Sequence, residues 1–243
     1  MKSRLKFALL HLFISLLFCA GLILFFHFSS YRWPLSIAVN FWHIAVIFCL
    51  VDIVIGPFLT FIVYQKGKKS LKFDLSVIIF LQIAAFVYGA FSIFDARPAW
   101  IVYSVDRFEL VKNSDIYIEN LSKVKPEYQH ASWVSPQYVA VQLAKDTKQH
   151  QQDAFNAIFA GLSLSKQPEK YIPLPHVRSE ILAKMQNIQL LQQYNSSNLV
   201  KNILKKYPNA SGFLPLKGHK EDMTVLLNKT GEVIQIVNLR PWK

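Results

Sequence analysis

Apolar and polar positions follow two regimes along this chain. Up to about residue 97 the apolar residues run on in long blocks; beyond it they recur with the short periods of strands and surface helices. Phe7–Phe28, Phe41–Tyr64 and Phe73–Phe94 each reach at least 22 residues. A helix rising about 1.5 Å per residue needs about 20 of them to cross a hydrocarbon core of about 30 Å. The first block closes on LILFFHF with no small-x-small cleavage site. Phe18, before Cys19, lacks the small side chain that a lipoprotein signal requires. It therefore reads as an uncleaved span. After Arg97, Ile101–Val111 alternates as a strand, and Tyr138–Ala144 reads as a second. Asp146–Gly161, Val177–Tyr194 and Ser197–Tyr207 carry helical stripes. Gly212–Lys217, Met223–Asn228 and Glu232–Leu239 predict a strand meander, with Lys229-Thr230-Gly231 as one turn.

Charge orients these blocks. Met1–Lys6 is a basic leader, Arg32 is the sole charge in Ser29–Asn40, and Lys66, Lys68, Lys69 and Lys72 crowd the second connection. Lysine and arginine beside membrane ends mark the cytoplasmic side. The N-terminus and residues 66–72 are thus expected inside, and Ser29–Asn40 and everything after Arg97 outside. Tyr31, Trp33, Trp42, Trp100 and Tyr103 suit headgroup depth. Pro98 disfavours helix at Arg97 and marks the exit from the third span. In a Gram-negative cell this describes a multi-pass inner-membrane protein. The expected fold is three transmembrane α-helices (about 7–28, 41–64 and 73–94) followed by a periplasmic α+β domain of antiparallel strands plus about three helices. The domains are then 1–97 and 98–243, the second long enough to bury one core.

The net charge of +12 splits evenly, +6 on residues 1–97 and +6 on the remainder. Seven of the basic residues lie at 2–6 and 66–72, where membrane orientation accounts for them. The rest are scattered, so the lipid bilayer rather than nucleic acid is the expected anionic partner. Cys19 and Cys49 both fall inside apolar blocks, so no disulfide is needed beyond residue 97.

Asp52 is the least comfortable residue. It lies near the middle of the second block, where a carboxylate costs about 2.5–3.5 kcal/mol on insertion scales. Gln82 lies near the middle of the third. A short connection makes these two helices antiparallel neighbours, which predicts an Asp52–Gln82 hydrogen bond of about 0.6–2 kcal/mol. Gly56-Pro57 predicts a kink one turn past Asp52. Asp52, Gly56, Pro57 and Gln82 form a candidate intramembrane site, read either as structural glue or as a contact for a partner's membrane helix. Asp74 is expected to cap the third helix.

The search for chemistry finds no GxGxxG, GxxxxGK[ST], GxSxG or HExxH pattern. His130, His150, His176 and His219 fall in no Cys/His cluster, and His150 with Asp153 reads as a surface pair. Asp106-Arg107 reads as a local charge pair. Tyr117, Trp133, Tyr138 and Trp242 are candidate aromatic anchors. No catalytic, cofactor-binding or metal-ligating residue is assigned; no enzyme, cofactor or small-molecule substrate is expected.

The run VDIVIGPFLTFIVYQKGKKSLKFDLSVIIFLQIAAFVYG, then ARPAWIVYSVDRFELV, and the closing FLPLKGHKEDMTVLLNKTGEVIQIVNLRPW resemble the TfpX/TfpZ family of type IV pilin accessory proteins. The specific pieces are D-x-x-x-G-P at Asp52, Gly56 and Pro57, the GKKSLKFDL loop, ARP at Ala96–Pro98, VDRF at Val105–Phe108, and Pro241-Trp242. Residues 129–211 fit more loosely. The resemblance implies an inner-membrane protein encoded with a type IV pilin and needed for its assembly, with no reaction and no cofactor. The pilin would be met at both its membrane helix and its periplasmic head, as by a membrane chaperone. Arg97, Pro98, Asp106 and Arg107 become a candidate interface motif. The alternatives are a membrane-anchored periplasmic sensor or ligand-binding module and, further off, a pilin-modifying enzyme.

Overall fold

The computed structural model describes residues 2–143, 146, 155 and 162–242. The chain forms two compact units, one of Met1–Ser29 with Asn40–Ala96, the other of Ser30–Val39 with Arg97–Lys243. The first is helical and the second is built on a sheet.

Three helices make the helical unit: Lys2–Phe28, Phe41–Val63 and Leu71–Asp95, all long and apolar enough to cross a membrane. The first begins within the basic leader rather than at Phe7. The middle helix packs against both others. It is α-helical over Phe41–Cys49, π-helical over Leu50–Ile55 and α-helical again over Gly56–Val63. Pro57 explains the change. It has no N–H for the carbonyl four residues earlier, and its ring crowds that carbonyl. A wider i→i+5 turn relieves both problems. The expected proline distortion therefore takes the form of a π-helical insertion, with Asp52 inside it.

Among the described residues the sheet unit carries eight strands: β1 Pro98–Ser104, β2 Arg107–Lys112, β3 Gln137–Val141, β4 Tyr171–Pro173, β5 Gln186–Asn187, β6 Gly212–Lys217, β7 Met223–Leu227 and β8 Val233–Val237. Their order is β4-β3-β1-β2-β6-β7-β8, with β5 on β6. The sheet is mixed, not purely antiparallel as expected. β1 runs parallel to β3, and β2 parallel to β6. One edge of β6 carries β7; the other is shared by β2 at Leu216–Lys217 and β5 at Gly212–Phe213. The meander β6–β7–β8 forms as expected.

Three local expectations are corrected. Ile101–Val111 is not one strand but the β1–β2 hairpin, turned at Val105-Asp106 with Val105 at φ +60°. The stripe over Val177–Tyr194 is not one helix. Arg178–Lys184 is helical, Gln186–Asn187 joins the sheet, and Ile188–Gln193 is 3₁₀. Ser197–Leu204 is the third expected helix, shortened, and the Ser196 hydroxyl accepts from the Leu199 amide at 3.4 Å as its cap. The helix expected at Asp146–Gly161 lies outside the described residues, apart from Asp146 and Phe155.

Two apolar clusters lie among the described residues of this unit. One gathers Trp100, Val102, Val111, Val139, Tyr128 and Tyr171, with the Trp100 ring edge-on to both tyrosines. The other packs Leu191, Val200, Phe213, Leu226, Val237 and Leu239. Ser30–Val39 is not a bare connection. The Ala38 carbonyl accepts from the amides of His219 and Lys220 at 3.0 and 2.8 Å, and the Ser30 hydroxyl donates to the Trp133 carbonyl at 3.2 Å.

Candidate functional site

Ser15, Asp52 and Gln82 fall at the middle of their three helices and meet there. The Gln82 amide Nε2 donates to the Ser15 hydroxyl at 2.7 Å and to the Asp52 main-chain carbonyl at 2.9 Å. The expected tie between Asp52 and Gln82 is therefore present, but to the backbone of Asp52, not its carboxyl. Gly56 makes the approach possible: a Cβ there would stand 2.2 Å from Gln82 Oε1. A second notch on the same pair of helices seats the Phe48 ring over Gly89.

The Asp52 side chain is only 2% exposed. Its Oδ2 accepts from the Cys19 thiol at 3.8 Å, while Oδ1 and Gln82 Oε1 have no hydrogen-bond partner among the described residues. Buried acceptors of this kind carry a desolvation cost of about 1–3 kcal/mol each when left unmade. One turn and more away, His11 Nδ1 and the Thr60 hydroxyl lie 2.6 Å apart.

These groups form the floor of a groove of about 550 Å³. The first helix supplies one wall with Phe7, Leu10 and Ile14; the third supplies the other with Leu75, Ile79 and Phe86. The middle helix lies beneath. The result is an apolar trough with a short polar track, the arrangement that favours another helix with a polar group at the same depth. Sequence reasoning singled out Asp52, Gly56, Pro57 and Gln82 from their place within apolar blocks. It gave Ser15, His11 and Thr60 no role in the site, because their small polarity is ordinary in such a helix.

The other singled-out residues are dispersed. Lys66, Lys69 and Lys72 are exposed in and after the turn between the second and third helices; Lys68 pairs with Asp74 at 2.7 Å. Asp74 accepts from the Ser70 hydroxyl at 3.0 Å and does not cap the helix. Arg97 and Pro98 are buried at the start of β1, the Arg97 Nε donating to the Ser132 carbonyl at 3.4 Å. Asp106 and Arg107 pair at 2.8 Å at the other end of that strand, so the four residues do not share one surface. Arg107 also lies over the Trp242 ring, whose indole donates to Asp222 at 2.6 Å. Tyr117 and Trp133 are exposed.

His219, given no role by its sequence context, sits 3.0 Å from Asp115. Burial acts to raise the Asp115 carboxyl, but hydrogen bonds from His219 and the Lys112 amide, with the charges beside them, outweigh it and hold it below the usual carboxylate range. Burial pushes the Tyr103 phenol up to about 12. Among the described residues no three His, Cys, Asp or Glu side chains gather as a metal site.

Three relatives from Dichelobacter nodosus are similar to this chain. A fimbrial assembly protein of serogroup I is 26% identical over 98% of this chain and 97% of its own. A fimbrial assembly protein of serogroup E1 is 26% identical over 93% and 90%, respectively. A fimbrial assembly protein of serogroups C1 and C2 is 32% identical over 49% of this chain and 96% of its own. No family model matches the chain, and no solved structure does.

Proposed function

This chain belongs to the family of fimbrial assembly proteins, and on that premise we propose that it is an inner-membrane accessory factor for the type IV pilus, acting as a pilin-specific chaperone. The three apolar helices span the membrane, with the N-terminus and the lysine turn in the cytoplasm and the sheet unit in the periplasm. A pilin subunit awaiting assembly is a membrane helix carrying a periplasmic head. The helical unit holds the first and the sheet unit the second, which keeps subunits apart until they are used. The protein performs no reaction and needs no cofactor.

The observation that carries this reading is the groove between the first and third helices. It offers apolar walls and a polar floor at mid-span, features that a purely structural three-helix anchor does not need. Photo-crosslinking in living cells tests it. A photoreactive residue at Ile83, on the groove, is expected to trap a pilin adduct, and one at Val46, which is 55% exposed away from that groove, is expected to trap little. Absence of adducts from Ile83, with the protein at normal levels, refutes the groove reading. Deleting the protein is expected to remove surface pili while pilin is still made; pili unchanged in number and dynamics would falsify the accessory role.

A further inference from the structure

The groove does more than accept an apolar helix: its floor is chemically lopsided. Two donor groups at its centre are committed. The Gln82 amide is committed to Ser15 and the Asp52 carbonyl, and the Cys19 thiol to Asp52 Oδ2. Two acceptors, Asp52 Oδ1 and Gln82 Oε1, on side chains that line the same cavity, have no hydrogen-bond partner among the described residues. Water satisfies such atoms in a soluble protein. In hydrocarbon only a protein group can do so, and each unmade bond there weighs heavily.

We propose that the groove is selective for a transmembrane helix bearing a compact hydrogen-bond donor, an N–H or O–H group, at mid-depth, which enters between Asp52 and Gln82. This rests on the reading of the groove as the seat of a membrane helix and adds the chemistry by which one helix is told from another. Apolar walls accept almost any helix, because lipid and leucine are equally apolar. The acceptor pair supplies the discrimination. A helix with leucine at that depth leaves both oxygens unmade, whereas a helix with a donor satisfies at least one. Gly56 leaves room for the Gln82 amide to lie against the middle helix, beside the Asp52 carbonyl. The track from His11 and Thr60 to Ser15 is internally bonded and contributes shape, not selection.

The test uses the full chain in phosphatidylethanolamine–phosphatidylglycerol vesicles, with a photoreactive residue at Ile83. The probes are host peptides of alternating leucine and alanine, one with a central serine, one with a central glutamine and one with leucine throughout. The serine and glutamine peptides are expected to be captured about three- to thirty-fold better than the leucine peptide, the range for one hydrogen bond between membrane helices. Asp52→Val and Gln82→Met together should bring the serine and glutamine peptides down to the level at which the same variant captures the leucine peptide. Equal capture of all three peptides by the natural chain overturns the proposal, as does a preference that survives both substitutions. Equal capture combined with pilin adducts from Ile83 in cells overturns only the donor selectivity and leaves the seat itself standing. Absence of both removes the seat as well.

Discussion

Gly56→Ala is the sharpest probe of the three-helix junction. The new Cβ would lie 2.2 Å from Gln82 Oε1, 2.6 Å from its Cδ and 2.8 Å from its Nε2. No real Cβ tolerates such contacts, so the amide must withdraw. It then gives up its bonds to Ser15 and to the Asp52 carbonyl. Hydrogen bonds between membrane helices average about 0.6 kcal/mol and reach about 1.7. Losing two therefore costs about 1–3 kcal/mol. Alanine's better helix propensity opposes this by up to about 1 kcal/mol. Gly21→Ala isolates that gain, because nothing lies within 4 Å of a Cβ there. Unfolding of the full chain in mixed micelles, followed by circular dichroism against detergent composition, gives both values. Gly56→Ala should be less stable than Gly21→Ala by about 1–3 kcal/mol. In a Gln82→Ala background the penalty should vanish. An undiminished penalty in that background refutes the reasoning.

The sheet unit offers further tests. Gly218→Ala places a Cβ 2.1 Å from the Glu221 carbonyl and 3.2 Å from that of Ala38, both backbone; an overpacking cost of about 1–3 kcal/mol is expected in thermal denaturation, with faster amide exchange at His219 and Lys220. Val105 is a β-branched residue at φ +60° and 55% exposed, so Val105→Gly should raise stability by up to about 1 kcal/mol, measured as a higher denaturation midpoint. The Asp115 carboxyl is depressed when folded, so its stabilisation is full above its unfolded value and fades as the pH falls through the lower folded value. Asp115→Asn should lower stability at neutral pH and flatten the acid limb of a pH–stability curve; an unchanged limb would exclude this role.

The three long helices and the polar residues in them were legible because a block of apolar residues is unambiguous and a carboxyl within it conspicuous. Which helices wall the groove was not, since that depends on which one lies between the other two. The helix stripe through Ile181, Met185, Ile188 and Leu191 misled for a specific reason. Ile188 and Leu191 are three apart, a spacing that suits a 3₁₀ turn as well as an α-helix. The chain in fact turns to an extended conformation at Met185 and puts Gln186 on β6. The β1–β2 turn was hidden because Val105-Asp106 has none of the Asn-Gly chemistry that announces a tight hairpin. The parallel pairings β1–β3 and β2–β6 join residues far apart in the chain, and no local pattern reports them.

The bond between Ala38 and the amides of His219 and Lys220 sets the order in which this molecule can be finished. At a synthesis rate of about 5–20 residues per second, the carbonyl waits about ten to thirty-five seconds for its partners to be made. All three apolar helices exist by then. A nascent chain stalled short of residue 219 thus has all three long helices and an open first loop. A fragment begun at residue 98 lacks that loop altogether. The stretch of ten residues between the first two helices is the keystone of the sheet unit, laid early and locked late.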